Sequence, residues 1–152
     1  MECVLKCFIC KTCGVEYSES SSPPTRCPIC EDPRQYVGWQ GQQWTSMDEL
    51  IDQGYVNNLR NLEPNLLGIG ITPSFSIGQR ALLVTTDQGN ILYDCVSIID
   101  DNAAKKIADL GGISYICLSH PHFYDSMVSW SQEFDHAPII ICLLYTSDAA
   151  DE

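Results

Sequence analysis

The chain has 152 residues, with 8 Lys and Arg against 20 Asp and Glu and a formal net charge of −12. An acidic balance of that size repels phosphate backbones and anionic headgroups, so nucleic acid and membrane surfaces are excluded as expected partners. A hydrophobic fraction of 45% suits one globular domain or two small ones, and no apolar run reaches membrane-spanning length.

The opening Met1-Glu2-Cys3-Val4-Leu5-Lys6 lacks the basic head and long apolar segment of a secretory signal, so a cytoplasmic location is expected. Nine cysteines are many for that compartment, where thiols stay reduced and clusters hold metal more often than they form disulfides. Six of them precede residue 31, which marks off a first unit.

Cys10-Lys11-Thr12-Cys13-Gly14 and Cys27-Pro28-Ile29-Cys30 are two CxxC knuckles separated by thirteen residues. Two residues between thiolates let a tight turn aim both sulfurs at one ion, and Gly14 can take the positive φ such a turn needs. Two knuckles give a closed S4 site suited to Zn(II) or a single iron. The Ser/Pro-rich segment from Ser18 to Pro24 has little with which to build a core, so the metal must supply much of the folding energy. Cys3 and Cys7 lie upstream at similar spacing; Cys10, Cys13, Cys27 and Cys30 are preferred as ligands because Gly14 follows the first pair and Pro28 lies inside the second.

With Tyr17, Pro24 and Asp32-Pro33 added, this pattern resembles the rubredoxin-like module of rubrerythrins over about thirty residues. The resemblance implies either iron passing electrons or zinc stabilising structure. Glu31 follows the last cysteine where rubredoxins have a glycine that lets backbone amides approach the sulfur, which favours the structural site.

From Tyr36 to Trp44 aromatics alternate with glycine and glutamine. No basic residue accompanies them, so packing of the module on its neighbour is expected in preference to stacking of bases. Ser46-Met47-Asp48-Glu49 is a capping box before a short helix that Gly54 ends, a hinge or spacer between domains. Asn57 to Pro64 then reads as a polar stretch with turn chemistry.

Beyond it, short apolar runs predict strands over Leu66 to Thr72, Arg80 to Thr86 and Ile91 to Val96, the last two joined by a hairpin turn at Asp87-Gln88-Gly89-Asn90. Being apolar on both alternating faces, these strands should be covered on both sides. A helix over Asp101 to Leu110, stopped by Gly111-Gly112, leads to a strand at Ile113 to Leu118, a helix over Phe123 to Phe134 and a strand at Pro138 to Ile141. The order implies neighbouring parallel strands. Ser119-His120-Pro121-His122-Phe123-Tyr124-Asp125 falls on the strand-to-helix turn, at the sheet edge where ligands gather. Extended backbone at His120, favoured by Pro121, would point His120 and His122 the same way, toward one metal. Asp94 lies near the end of an earlier strand.

Leu66 to Ile141 resembles the first half of a metallo-β-lactamase-fold hydrolase. The family motif His-x-His-x-Asp-His falls on His120, His122, Tyr124 and Asp125. The resemblance implies zinc at His120 and His122, with Asp94 and Asp125 as catalytic candidates. Tyr124 for aspartate removes a ligand, while Asp125 for histidine still offers an oxygen, so one metal or none is expected in place of two. The family's later ligands have no counterpart, since only His136 follows. The end of the chain, Cys142 to Glu152, resembles a translated sequencing-library adapter, which implies a native sequence that diverges near Ile141.

The expected fold is α/β, or α+β in the wider sense: a rubredoxin-like zinc ribbon (residues 8–36), a linker with a short helix (37–64), a truncated metallo-β-lactamase-like αββα half (65–141) and a non-native tail (142–152). The expected function is metal-dependent hydrolysis of a small-molecule ester, thioester or amide by the full-length parent, with this chain inactive. Two alternatives stand beside it: a zinc-stabilised binding or interaction module with a degenerate hydrolase site, and a rubredoxin-like iron module for electron transfer.

Overall fold

The computed structural model describes residues 5–33 and 35–142. Cys3 and all of the expected non-native tail except Cys142 lie outside them. The architecture is mixed α and β, with a two-stranded sheet, a six-stranded sheet and three α-helices among the described residues.

In the small sheet β1 (Ile9–Cys10) pairs antiparallel with β2 (Trp44–Thr45). The segment expected to pack the cysteine unit on its neighbour does so at one end. Trp44 packs on the cysteine cluster and meets Tyr17 edge to face at 5.4 Å, whereas Trp39 is 97% exposed. Helix α1 (Met47–Asp52) starts where the capping box requires, with Ser46 Oγ accepting from Glu49 N at 3.4 Å. Its Leu50 is buried with Ile9, Phe75 and Ile98. The cysteine unit, the short helix and the later α/β segment therefore share one apolar cluster.

The large sheet has the order β3 (Val56–Glu63), β4 (Leu66–Thr72), β5 (Ala81–Val84), β6 (Ile91–Tyr93), β7 (Tyr115–Cys117), β8 (Ile139–Ile140). The first four strands run antiparallel, and β6, β7 and β8 are parallel neighbours, as the alternation of strands and helices predicts. Strand β3 corrects the reading of Asn57 to Pro64 as a turn-rich stretch. An edge strand needs few apolar side chains, and pairing with β4 along its length outweighs its weak propensity. Buried Asn57 also donates to the carbonyls of Gly70 at 3.4 Å and Ile98 at 3.0 Å.

Helix α2 (Asp101–Asp109) is capped by Asp100, whose Oδ1 accepts from Ala103 N at 2.7 Å while its Oδ2 accepts from Asn57 N at 2.6 Å. Helix α3 (Met127–Glu133) is shorter than the predicted Phe123 to Phe134. A 3-10 turn at Pro121–Phe123 precedes it, and Asp125 at φ 41° breaks the helical path between the two. Ile107 of α2, Trp130 of α3 and neighbouring Phe134 cover one face of the sheet, over Leu67, Ile69, Ala81, Leu83, Leu92 and Ile116. Trp130 Nε1 donates to Val96 O at 2.8 Å. The opposite face is not covered to the same extent: Leu62, Tyr93, Tyr115 and Ile140 keep 44–51% exposure. The expectation of cover on both sides holds for one side among the described residues, because both helices return to the same face. Among the described residues no helix is long and apolar enough to cross a membrane.

Candidate metal centre

Cys10, at the end of β1, and Cys13 flank a tight knuckle in which Gly14 N donates to Cys10 O at 2.8 Å and Cys10 N to Val15 O at 2.9 Å. Gly14 sits at φ +82°, the left-handed conformation its sequence position predicts. Cys27 and Cys30 bracket the second knuckle, a short 3-10 turn begun by Pro28. The four sulfurs lie within 4.8 Å of one another, and all four residues are buried. The Cys10 to Cys30 and Cys13 to Cys27 sulfur separations are both 3.6 Å. A tetrahedron with Zn–S bonds of about 2.3 Å has edges of about 3.8 Å. The donor set and its spacing therefore fit a four-coordinate thiophilic metal ion.

Two side chains outside the knuckles point at the sulfurs. Gln42 Nε2 donates to Cys10 Sγ at 3.0 Å, and the Tyr17 hydroxyl lies 3.1 Å from Cys27 Sγ. The thiols are not equivalent: hydrogen bonds from Cys13 and then Cys27 hold Cys10 far below the usual thiol range, and the contact with Cys10, followed by those with Cys27 and burial, drives Cys13 far above it. Upstream Cys7 is half-buried, outside this cluster, with its thiol raised by burial and by Glu16 and Glu19.

The histidine turn lies against this module. His120 takes an extended conformation, but His122 falls inside the 3-10 turn, so the pair does not form on continuous extended backbone. Pro121 starts that turn, and His120 Nδ1 accepts from His122 N at 3.2 Å. The rings nevertheless meet, stacked at 5.0 Å with their Nδ1 atoms 3.2 Å apart. Burial, followed by its neighbour His120, lowers the His122 pKa. His122 Nε2 lies 3.2 Å from Gln35 Oε1, at the start of the aromatic loop. His136 is exposed in a turn after α3.

The two carboxylates singled out in the sequence are each hydrogen-bonded to a serine. Asp94, at φ 62° just past β6, accepts from Ser119 N at 2.8 Å and from Ser119 Oγ at 2.8 and 3.0 Å. It fastens the start of the histidine turn. Asp125 is 2% exposed, with Oδ1 2.6 Å from Ser97 Oγ and no hydrogen-bond partner for Oδ2 among the described residues. Ser97 has one hydroxyl proton and two acceptors, since Gly14 O lies 2.9 Å away. A protonated Asp125 resolves the conflict by donating to Ser97 Oγ while Ser97 donates to Gly14 O. Burial accordingly pushes the Asp125 carboxyl well above its usual range, aided by Asp94 and opposed by Ser97.

This predicts a measurable pH dependence. A carboxyl that keeps its proton in the fold and loses it in the unfolded chain above about pH 4 makes stability fall as pH rises, by about 1.4 kcal/mol per pH unit until the folded pKa is reached. Asp125→Asn retains a donor and removes that proton. Urea unfolding of both proteins should show the variant gaining stability over the wild type between about pH 4 and 7, a difference in which the shared contribution of the thiols cancels. Parallel pH profiles would contradict a neutral Asp125.

Sequence reasoning missed the residues that join the module to the sheet. Ser76 Oγ donates to Thr12 O at 2.6 Å, Gln79 Nε2 to Cys13 O at 2.5 Å and Ser97 Oγ to Gly14 O at 2.9 Å. Three consecutive knuckle carbonyls are thereby held by side chains 64, 66 and 83 residues away along the chain. Nothing in the local pattern marks these polar residues, because their partners are set by tertiary contact.

Fold and site together define an α+β protein with a four-cysteine cluster of zinc-ribbon type. A protein described as uncharacterized, YmaE of Bacillus subtilis (strain 168), is 42% identical over 135 residues, an alignment covering 88% of this chain and 49% of the relative. The chain thus spans about half the length of that relative. No protein-family model matches the chain.

Proposed function

We propose that the chain is a metal-binding protein in which Cys10, Cys13, Cys27 and Cys30 hold one structural zinc ion that fastens the N-terminal segment to the α/β sheet. The observation that carries this reading is the set of four buried sulfurs within 4.8 Å of one another. Zinc is preferred to iron because Glu31, in place of glycine, follows the last cysteine, where backbone amides would otherwise support a redox site. Metal analysis with a visible spectrum tests it. The expected result is a colourless protein with about one equivalent of zinc. An iron-thiolate spectrum would favour electron transfer, and a chain purified and reconstituted without metal would refute the reading.

A second reading rests on the histidine pair at the carboxyl end of β7. The partial match of His120, His122, Tyr124 and Asp125 to the metallo-β-lactamase motif suggests the first half of such a hydrolase, and the stacked His120 and His122 rings supply two nitrogen donors. Zinc bound there would act as a Lewis acid and lower the pKa of a bound water for attack on an ester, thioester or amide. Asp94 and Asp125 are engaged with Ser119 and Ser97, which supports little or no turnover by this chain and leaves a small-molecule substrate to a longer parent. The net charge of −12 supports partners other than nucleic acid or anionic membrane. A second metal equivalent, lost in His120→Ala with the cysteine-bound one retained, would support the histidine site. Metal-dependent ester hydrolysis abolished by the same substitution would overturn the expectation of inactivity. Zinc in the cysteine centre alone would favour a non-enzymatic binding module.

A further inference from the structure

We infer that metal occupancy of the cysteine centre controls the conformation of the histidine turn, with Gln79 as the positioning residue that links them. This rests on the reading of the four cysteines as a metal centre and adds a regulatory connection to it. Gln79 is 8% exposed, and its Nε2 donates both to Cys13 O at 2.5 Å and to His122 O at 2.9 Å. One amide group therefore joins the residue bearing a metal-binding sulfur to the residue bearing a turn imidazole.

Two further links run parallel to it. Glu16 N, just past the knuckle, donates to Asp125 O at 3.0 Å, and Ser129 Oγ of α3 donates to Glu16 Oε2 at 2.5 Å. Gly14 approaches so closely that a Cβ built on it would lie 2.4 Å from Asp125 Oδ1. Tyr124, between His122 and Asp125, packs on the cysteine cluster. The knuckle is thus a wall of the pocket in which the turn is seated.

The knuckle has little else to hold its shape. Its core is the sulfurs with Val15 and a few partly buried neighbours, so its geometry depends on the bonds a metal makes to Cys10 and Cys13. When those bonds are absent the carbonyls of Thr12, Cys13 and Gly14 lose their fixed positions. Gln79 then has one anchored acceptor instead of two, and Asp125 loses the backbone packed against it. By contrast, the sheet itself holds the turn at its first residue, through Asp94 to Ser119, and at one carbonyl further on, through Cys95 N to Phe123 O at 3.2 Å. The turn is therefore released on the module side while Ser119 stays fastened.

Amide hydrogen exchange on the full chain tests this. The reporters are the turn amides of Phe123, Tyr124 and Met127, which donate to His120 O, Pro121 O and Tyr124 O; the paired amides of β4 and β5 are the internal reference. Chelation of the metal should accelerate the turn reporters roughly tenfold, the effect of losing about one net hydrogen bond, and leave the reference unchanged. Gln79→Ala should keep about one equivalent of metal yet exchange quickly at the turn whether or not metal is present. Ser76→Ala, which removes a knuckle contact without touching the turn, should behave as the wild type.

Acceleration confined to residues 8–17 on chelation, with the turn unaffected, would overturn the coupling while leaving the metal centre intact. A wild-type chain that binds no metal would instead refute the metal reading itself. If chelation also exposes the β4 and β5 reference, metal-loaded Gln79→Ala decides: fast exchange at the turn supports the link, and wild-type exchange there overturns it.

Discussion

Cys27→Ser is expected to lose the bound metal and to unfold residues 8–37 while the core around Trp130 stays folded. Cys27 is 1% exposed, its sulfur lies 3.6 Å from Cys13 Sγ, and the Tyr17 hydroxyl contacts it at 3.1 Å. The segment has no comparable apolar core, so the binding free energy of the metal is largely its folding free energy, on the order of 10 kcal/mol in small zinc modules. The apolar cluster around Trp130 contains none of the four cysteines, which is why that core should stay folded, while the cluster that Ile9 shares with Leu50, Phe75 and Ile98 loses one member. Metal analysis and hydrogen exchange check both halves: the variant should carry no metal, residues 8–37 should exchange rapidly, and the β4 and β5 amides should stay protected. A variant retaining metal and protection in the module would show that the Cys27 sulfur is not a required ligand.

Gly14→Ala is expected to be the most damaging substitution outside the sulfurs, through two independent terms. A side chain at φ +82° costs about 1–2 kcal/mol. The added Cβ would also stand 2.4 Å from Asp125 Oδ1 and 2.6 Å from Ser97 Oγ, two atoms that are themselves buried and hydrogen-bonded to each other. Neither can retreat without breaking that bond, and overpacking of this kind costs about 1–3 kcal/mol more. Denaturant unfolding should show a loss of about 2–5 kcal/mol in total. As a comparison, Gly38→Ala has φ +89° with nothing within 4 Å of the added atom, so it should show only the backbone term. Equal losses in the two variants would mean that the knuckle is not pressed against Asp125.

These expectations place the consequence of the cysteine centre beyond its own knuckles. The same Gly14 that gives the first knuckle its turn also gives the module its close approach to the sheet. The carboxyl it meets, Asp125, belongs to the stretch that ends the histidine turn. Asp125, a catalytic candidate from its place in the motif, sits at the junction of module and sheet, and Asp94 fastens Ser119.

The sequence by itself determined the four-cysteine cluster, because a two-residue spacing brings thiolates to one point through local backbone geometry alone, with Gly14 and Pro28 shaping the turns. It likewise showed the mixed α and β character, the strand at Leu66 to Thr72, the capping box at Ser46 and the parallel run of β6, β7 and β8, whose apolar runs and stop signals are all local. Only the tertiary structure decided what those elements do to one another. Strand β3 forms from polar residues because β4 lies beside it to pair with. The helix after the histidine turn starts late because Asp125 is held at positive φ against Ser97 and Gly14. The lock between module and sheet depends on Ser76, Gln79 and Ser97, ordinary polar residues whose partners are carbonyls 64, 66 and 83 positions away. Backbone carbonyls are present at every residue, so a contact with one leaves no pattern in the sequence; only the folded chain selects which of them is within reach.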